Sequence, residues 1–229
     1  MEAIILAGGM GTRLRKVIED MPKPMAPVRG KPFLYYLLRW LNQYPVDRLI
    51  LSVGYKSETI FDYFGDSFGT LPIEYTTEKK PLGTGGAIKY ALRKTYGENI
   101  LVLNGDTWFP INLNEFFSFH SGNNNMFSVA LKPMQNFSRY GSVQCHEDII
   151  VRFNEKKFCS EGLINGGIYL INRDFIESRE LPEVFSLENE ILEKEAGSGI
   201  LKCSIFDAPF LDIGVPEDYR KAGTILDTN

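Results

Sequence analysis

Glu2-Ala3-Ile4-Ile5-Leu6-Ala7-Gly8-Gly9-Met10-Gly11-Thr12-Arg13-Leu14, followed by Pro22-Lys23-Pro24-Met25, decides how this chain is read. The run from Glu2 to Leu6 is apolar, partly β-branched and stopped abruptly by glycine, which predicts a short buried strand. Three glycines in four positions then remove Cβ atoms from the backbone, so a ligand can approach the amide N–H groups closely. Arg13 and Lys23 add two cations beyond that bare loop. Backbone donors flanked by two cations suit a polyphosphate. A P-loop would close on Gly-Lys-Ser/Thr, which is missing. A dinucleotide fingerprint would need glycine at position 14, which is Leu14.

Working outward, strand-like and helical runs alternate through the first half. Asp47 to Val53 and Asn99 to Leu103 read as buried parallel strands. Helices are predicted over Pro32 to Asn42, Ser57 to Phe64 and Gly85 to Thr95, with Thr84 as N-cap of the last. Asn112-Leu113-Asn114-Glu115 has the spacing of a capping box. The strand-helix alternation means a βαβ sheet. Past the Asn123-Asn124-Asn125 turn, short strands crowd together at Met126 to Leu131, Ser142 to Gln144, Ile149 to Phe153, Gly167 to Ile171 and Leu201 to Phe206. Pro216 opens a last helix. The expected fold is α/β and Rossmann-like: a mixed, mostly parallel sheet flanked by helices, with added short antiparallel strands. No linker or repeat divides residues 1–229, so one domain is expected, with a nucleotide-binding half to about residue 110 and a sugar-phosphate half beyond it.

Composition narrows the function classes. A net charge of −4 without basic runs argues against nucleic acid as a partner. No stretch approaches the ~20 apolar residues of a membrane span, and the five-residue N-terminal apolar run is too short for a signal peptide. Cys145, Cys159 and Cys203 are odd in number and widely spaced, so they read as free thiols in a reducing compartment, with the cytoplasm as default. Oligomeric state leaves no readable mark.

Asp106, in Leu103-Asn104-Gly105-Asp106, falls just past a predicted strand, where open α/β sheets bind ligands. Phe210-Leu211-Asp212-Ile213-Gly214 repeats the arrangement near the C-terminus. Brought together, the two carboxylates suit one Mg²⁺. Pro81-Leu82-Gly83-Thr84-Gly85-Gly86 is a second glycine loop, against which a flat base could lie. Glu78, just upstream, has the acceptor pair that guanine N1–H and its 2-amino group require. Each segment also has a plainer reading as a turn, a cap or solvated charge.

Taken together, these segments resemble the sugar-1-phosphate nucleotidyltransferases. The resemblance rests on Gly-Gly-x-Gly-Thr-Arg-Leu with Pro-Lys-Pro-Met, then Pro-Leu-Gly-Thr-Gly-Gly, Asn-Gly-Asp, Asn154-Glu155-Lys156, Asn165-Gly166-Gly167-Ile168-Tyr169 and Asp212-Ile213-Gly214-Val215-Pro216-Glu217-Asp218-Tyr219, in the family's order. Val215 stands where threonine is common. The resemblance implies that Arg13, Lys23 and Lys156 are catalytic, on pyrophosphate, α-phosphate and sugar phosphate. It assigns the nucleotide to Leu6, Ala7, Gly8, Gly9, Gly11, Thr12, Glu78, Pro81, Leu82, Gly83, Thr84, Gly86 and Asp106. The sugar falls to Gly141, Glu155, Lys156, Asn165 and Gly166, and Mg²⁺ to Asp106 and Asp212. The implied partners are a nucleoside triphosphate and a sugar 1-phosphate, giving an NDP-sugar for surface polysaccharide.

Within the family the likeness is to short bacterial members that use GTP and a heptose 1-phosphate. The residues alone leave uracil, mannose and amino sugars open. A non-catalytic nucleotide-binding regulator would be expected to lack one of the charged groups, and all are present. A glycosyltransferase would favour Asp-x-Asp, whereas Asp106-Thr107-Trp108 stands here.

Overall fold

The computed structural model describes residues 1–9, 11, 14 and 21–226. In chain order the strands are β1 (Glu2–Leu6), β2 (Pro27–Val28), β3 (Lys31–Pro32), β4 (Arg48–Val53), β5 (Ser67–Phe68), β6 (Leu71–Thr77) and β7 (Asn99–Asn104). They continue as β8 (Thr107–Trp108), β9 (Phe127–Phe137), β10 (Gly141–His146), β11 (Ile149–Lys156), β12 (Cys159–Asn172), β13 (Leu201–Ile205) and β14 (Leu211–Asp212). The helices are α1 (Phe33–Leu41), α2 (Ser57–Phe64), α3 (Gly83–Leu92), α4 (Leu113–Gly122), α5 (Arg173–Glu177), α6 (Glu193–Glu195) and α7 (Pro216–Ile225).

Ten strands form one mixed sheet in the order β10-β11-β13-β9-β12-β7-β1-β4-β6-β5. β7, β1, β4 and β6 are parallel neighbours. The central three, β7, β1 and β4, are largely buried apolar runs because helices cover both faces. The strands from the second half are antiparallel except where β13 runs parallel to β9. Side chains alternate across the sheet. Ile5, Leu51 and Leu103 pack on one face under α1, α2 and α4, while Ile4, Ile50 and Val102 pack on the other under α3 and α5.

Three elements differ from expectation in ways that matter for the site. β9 and β12 are far longer than the five- or six-residue runs expected, at 11 and 14 residues. β12 passes through Asn165-Gly166-Gly167, where the register against β9 shifts before Tyr169 and Gly167 takes φ +73°. That is a bulge inside a strand rather than a turn before one. α3 starts at Gly83 with Leu82 as N-cap, so Thr84 is not the cap. The capping box at Asn112 forms as expected, its side chain accepting from the Glu115 N–H.

Parallel strands put their carboxyl ends on one edge, and that edge is where the chain's chemistry collects. β1 ends at Leu6, paired with Ser52 of β4 and Asn104 of β7. Asp106 and Asp212, 106 positions apart, meet through a small two-stranded ladder in which Asp212 pairs with Thr107 and Leu211 with Trp108. The Ile213 N–H also donates to the Asp106 carbonyl at 3.1 Å. Trp108 packs edge-on against Trp40, its ring 6.1 Å away, which anchors the ladder on α1.

Candidate functional site

Close backbone approach builds the first cavity. The Ala7 N–H continues the β1–β4 ladder to the Ser52 carbonyl, so Ala7 is interior and the exposed loop begins at Gly8. A Cβ on Gly8 would lie 2.9 Å from Glu78 Oε1, and one on Gly105 would lie 2.6 Å from the Leu6 carbonyl. A side chain at Gly105 would push the strand ends apart, and one at Gly8 would displace the Glu78 carboxylate. The resulting cavity of about 320 Å³ is lined by Leu6, Gly8, Gly9, Glu78, Pro81, Gly83, Thr84, Ala87, Asn104 and Asp106. The Glu78 carboxylate is fixed there, with Oε2 accepting the Leu82 N–H at 2.9 Å and Oε1 facing the Ser52 hydroxyl at 3.5 Å.

Lys23 lies beside this cavity on a 3₁₀ turn, Lys23–Met25, set between Pro22 and Ala26. It is 8% exposed. Its ammonium donates to Asp106 and to Asp212 Oδ1, the latter at 3.3 Å. Glycines hold it close: a Cβ on Gly11 would come within 3.0 Å of Lys23 Cβ, and one on Gly214 within 3.0 Å of its Nζ. Gly11, at φ +55°, therefore serves Lys23 directly. Asp212 Oδ1 also accepts the Gly214 N–H at 2.7 Å. Burial first, and then the Asp212 charge, push the nearby Tyr140 hydroxyl up to about 12.

The two carboxylates thus share the Lys23 ammonium. Among the described residues, no group of three or more His, Cys, Asp and Glu is disposed to hold a metal. Two carboxylates with the remaining ligands left to water and phosphate is the donor set that Mg²⁺ takes in nucleotide sites, so the residues fit that ion.

A second cavity of about 630 Å³ is lined by Gly141, Phe153, Asn154, Glu155, Lys156, Asn165, Ser186, Glu188, Asn189, Leu192 and Glu193. Gly141 faces Lys156 across the β10–β11 pairing. Thr84 and Glu188 form the seam between the two cavities, since Thr84 Oγ1 donates to Glu188 Oε2 at 2.7 Å and accepts the Leu187 N–H at 2.9 Å. Ser186 donates to the same carboxylate oxygen at 2.7 Å.

Several expected residues do other work. Gly83, Gly85 and Gly86 are shaped by the 183–187 segment: Cβ atoms there would strike the Phe185 carbonyl, the Phe185 ring and the Glu183 carbonyl. Gly85 and Gly86 both donate to the Phe185 carbonyl. Leu82 and Gly86 line a neighbouring cavity with Lys79, Lys89 and Tyr90, leaving Glu78 as the wall between it and the first. Gly166 is packed against the Phe109 ring rather than facing either cavity. Asn165 spends its amide internally, donating to the Tyr169 hydroxyl and accepting the Gly167 N–H, both at 2.9 Å. Burial, then the charges of Glu188 and Asp106, keep the Tyr169 phenol neutral, its pKa pushed well up. Thr12 and Arg13 lie outside the described residues.

Asn104, Ala87, Ser186, Glu188, Asn189 and Glu193 line the cavities without having been singled out. Asn104 stood inside the Asn-Gly-Asp motif, so its signal was present. Glu188 belongs to an acidic stretch that reads as solvated charge.

A family model described as Nucleotidyl transferase matches residues 2–229. The chain is 49% identical over 222 residues to a D-glycero-alpha-D-manno-heptose 1-phosphate guanylyltransferase of Aneurinibacillus thermoaerophilus, covering 97% of this chain and 96% of that protein. It is 47% identical over 220 residues to the Campylobacter jejuni protein of the same name, covering 96% and 97%. The crystal structure of HddC from Yersinia pseudotuberculosis complexed with GMP-PN matches with a TM-score of 0.86 at 36% identity, covering 97% of this chain and 98% of that one.

Proposed function

The chain belongs to the nucleotidyl transferase family, and from that premise we propose that it transfers the guanylyl group of GTP to D-glycero-α-D-manno-heptose 1-phosphate, releasing pyrophosphate. The observation that carries this reading is Lys23, a nearly buried cation bonded to Asp106 and Asp212 beside the Gly8–Glu78 cavity. Similarity to the guanylyltransferases of Aneurinibacillus and Campylobacter supports the choice of substrates.

In this mechanism an oxygen of the sugar phosphate attacks the α-phosphorus in line as pyrophosphate departs. That oxygen is already ionised, so no general base is needed. The obstacle is repulsion between anions, about 4 kcal/mol per unit pair at 4 Å and an effective dielectric near 20. Lys23 binds the α-phosphate, Arg13 the departing pyrophosphate, and Lys156 the sugar phosphate in the second cavity. Asp106 and Asp212 would hold Mg²⁺, which when bound supplies charge neutralisation to the triphosphate. Glu78 accepts from guanine N1–H and the 2-amino group, its carboxylate aimed by the Leu82 N–H. Gly141 and Glu155 face the sugar, and Asn165 forms part of the cavity wall with its amide held by Tyr169 and Gly167. Catalysis is then positioning and charge stabilisation by preset groups.

Residues 1–229 act as one domain in this reading, in the cytoplasm. Among the described residues no helix is long and apolar enough to cross a membrane. The test is a matrix of GTP, UTP, CTP, ATP and dTTP against heptose, mannose and glucose 1-phosphates, scored by pyrophosphate release. GTP with the heptose 1-phosphate is expected to give the highest kcat/KM. A clear UTP preference would overturn the base assignment, and no release with any pair would overturn the enzyme reading.

A further inference from the structure

Two of the three cysteines are not separate thiols. Cys203 on β13 and Cys145 on β10 approach to 3.2 Å between sulfur atoms, although 58 positions separate them in sequence. Their strands flank β11: Cys145 pairs with Ile150, and the Cys203 N–H donates to the Asp148 carbonyl beside the Lys202–Ile149 pairing. Closing a bond of about 2.05 Å therefore asks the two sulfur atoms to approach by roughly 1 Å. Among the described residues no third His, Cys, Asp or Glu joins them as a metal site. Cys159 is placed differently, its S–H donating to the Glu161 carbonyl at 3.0 Å.

We propose that Cys145 and Cys203 are a site of oxidative modification, forming an intramolecular disulfide on exposure to a hydroperoxide. Cys145 is half-buried and reachable, whereas Cys203 is 4% exposed, so Cys145 meets the oxidant and Cys203 resolves. The hydrogen bond from the Cys203 S–H holds the Cys145 thiol below its usual range, and the same bond with burial pushes Cys203 up. The Cys145 thiolate attacks one peroxide oxygen, the O–O bond breaks, and the released hydroxide takes up a proton as water, leaving a sulfenic acid. Cys203 sulfur then attacks the Cys145 sulfur, and the displaced hydroxide leaves as a second water with the Cys203 proton. Two thiols lose two electrons and two protons while one peroxide becomes two waters. The bond would tie β10, which begins at Gly141 in the second cavity, to β13.

The full chain is treated with a small excess of hydrogen peroxide and analysed by intact mass, free-thiol titration and non-reducing peptide mapping. Expected are a mass decrease of about 2 Da, one remaining thiol, a linked Cys145–Cys203 peptide and a Tm higher by roughly 5–10 °C, all reversed by dithiothreitol. In Cys203→Ser the Cys145 sulfenic acid should persist and be trapped by dimedone, and in Cys145→Ser the Cys203 thiol should stay reduced. Oxidation of Cys159 first, a covalent dimer, or Cys145 sulfinic acid without the linked peptide would overturn the proposal.

Discussion

Replacing Lys23 by alanine removes a cation that touches both Asp106 and Asp212. Its ammonium stands 3.3 Å from Asp212 Oδ1, a separation worth about 5 kcal/mol at an effective dielectric near 20. Only the part of such an interaction that grows toward the transition state accelerates the reaction. Losing one preset donor of this kind costs about 2.7–4 kcal/mol, so kcat should fall roughly 100- to 1,000-fold. KM for GTP should change less, because Gly8, Gly9 and Glu78 still form the other side of the cavity. Lys23→Arg should not restore turnover. The guanidinium is larger and planar, and the backbone of Gly11 and Gly214 already closes around Lys23. The assay is steady-state pyrophosphate release with saturating heptose 1-phosphate, alongside a melting curve to show that the variant is folded. Turnover within about threefold of wild type for a folded Lys23→Ala would refute the role given to this lysine.

Gly214→Ala tests the same centre without altering charge: the new Cβ would lie 2.8 Å from Asp212 Oδ1, so kcat should drop roughly 10- to 100-fold while the melting curve barely moves, because a side-chain end can shift where backbone cannot. Glu78→Gln places an NH₂ against guanine donors, so kcat/KM for GTP should fall roughly 10- to 100-fold, measured beside UTP, which should lose less. His120 is buried between Ser128 and Asn99 (2.8 and 3.1 Å), and burial holds its pKa down to about 4 from 6.5. The unfolded chain then binds the proton first, so this stability is present above about pH 6.5 and is lost as pH falls toward 4. At pH 5 the loss is about 2 kcal/mol, and His120→Gln should flatten the fall in Tm between pH 7 and 5.

What the sequence made legible was whatever a local signal specifies. β1 and α2 have their expected bounds, and the Asn112 cap forms, because periodicity and capping act over a few residues. Asn165-Gly166-Gly167 looks like a turn in sequence, whereas tertiary pairing with β9 carries β12 across it as a bulge, so β12 runs longer than its local signal predicts. β6 carries Pro72 near its start, which lowers a run's claim to be a strand. The β8–β14 ladder has two residues on each side, too few for any period, yet it is what joins Asp106 to Asp212. The motif glycines were visible, but the reason for Gly85 and Gly86 was not, since Phe185 lies about a hundred residues away. Glu188 was hidden for the same reason: only folding places it against Thr84.

A crystal structure with a non-hydrolysable GTP analogue, Mg²⁺ and heptose 1-phosphate bears most directly on all of this. The α-phosphate should rest on the Lys23 ammonium with the ion on Asp106 and Asp212, guanine against Glu78 on its Gly8 side, and the sugar phosphate beside Lys156. Guanine seated instead among Lys79, Lys89 and Tyr90, or a triphosphate that bypasses Lys23, would contradict it.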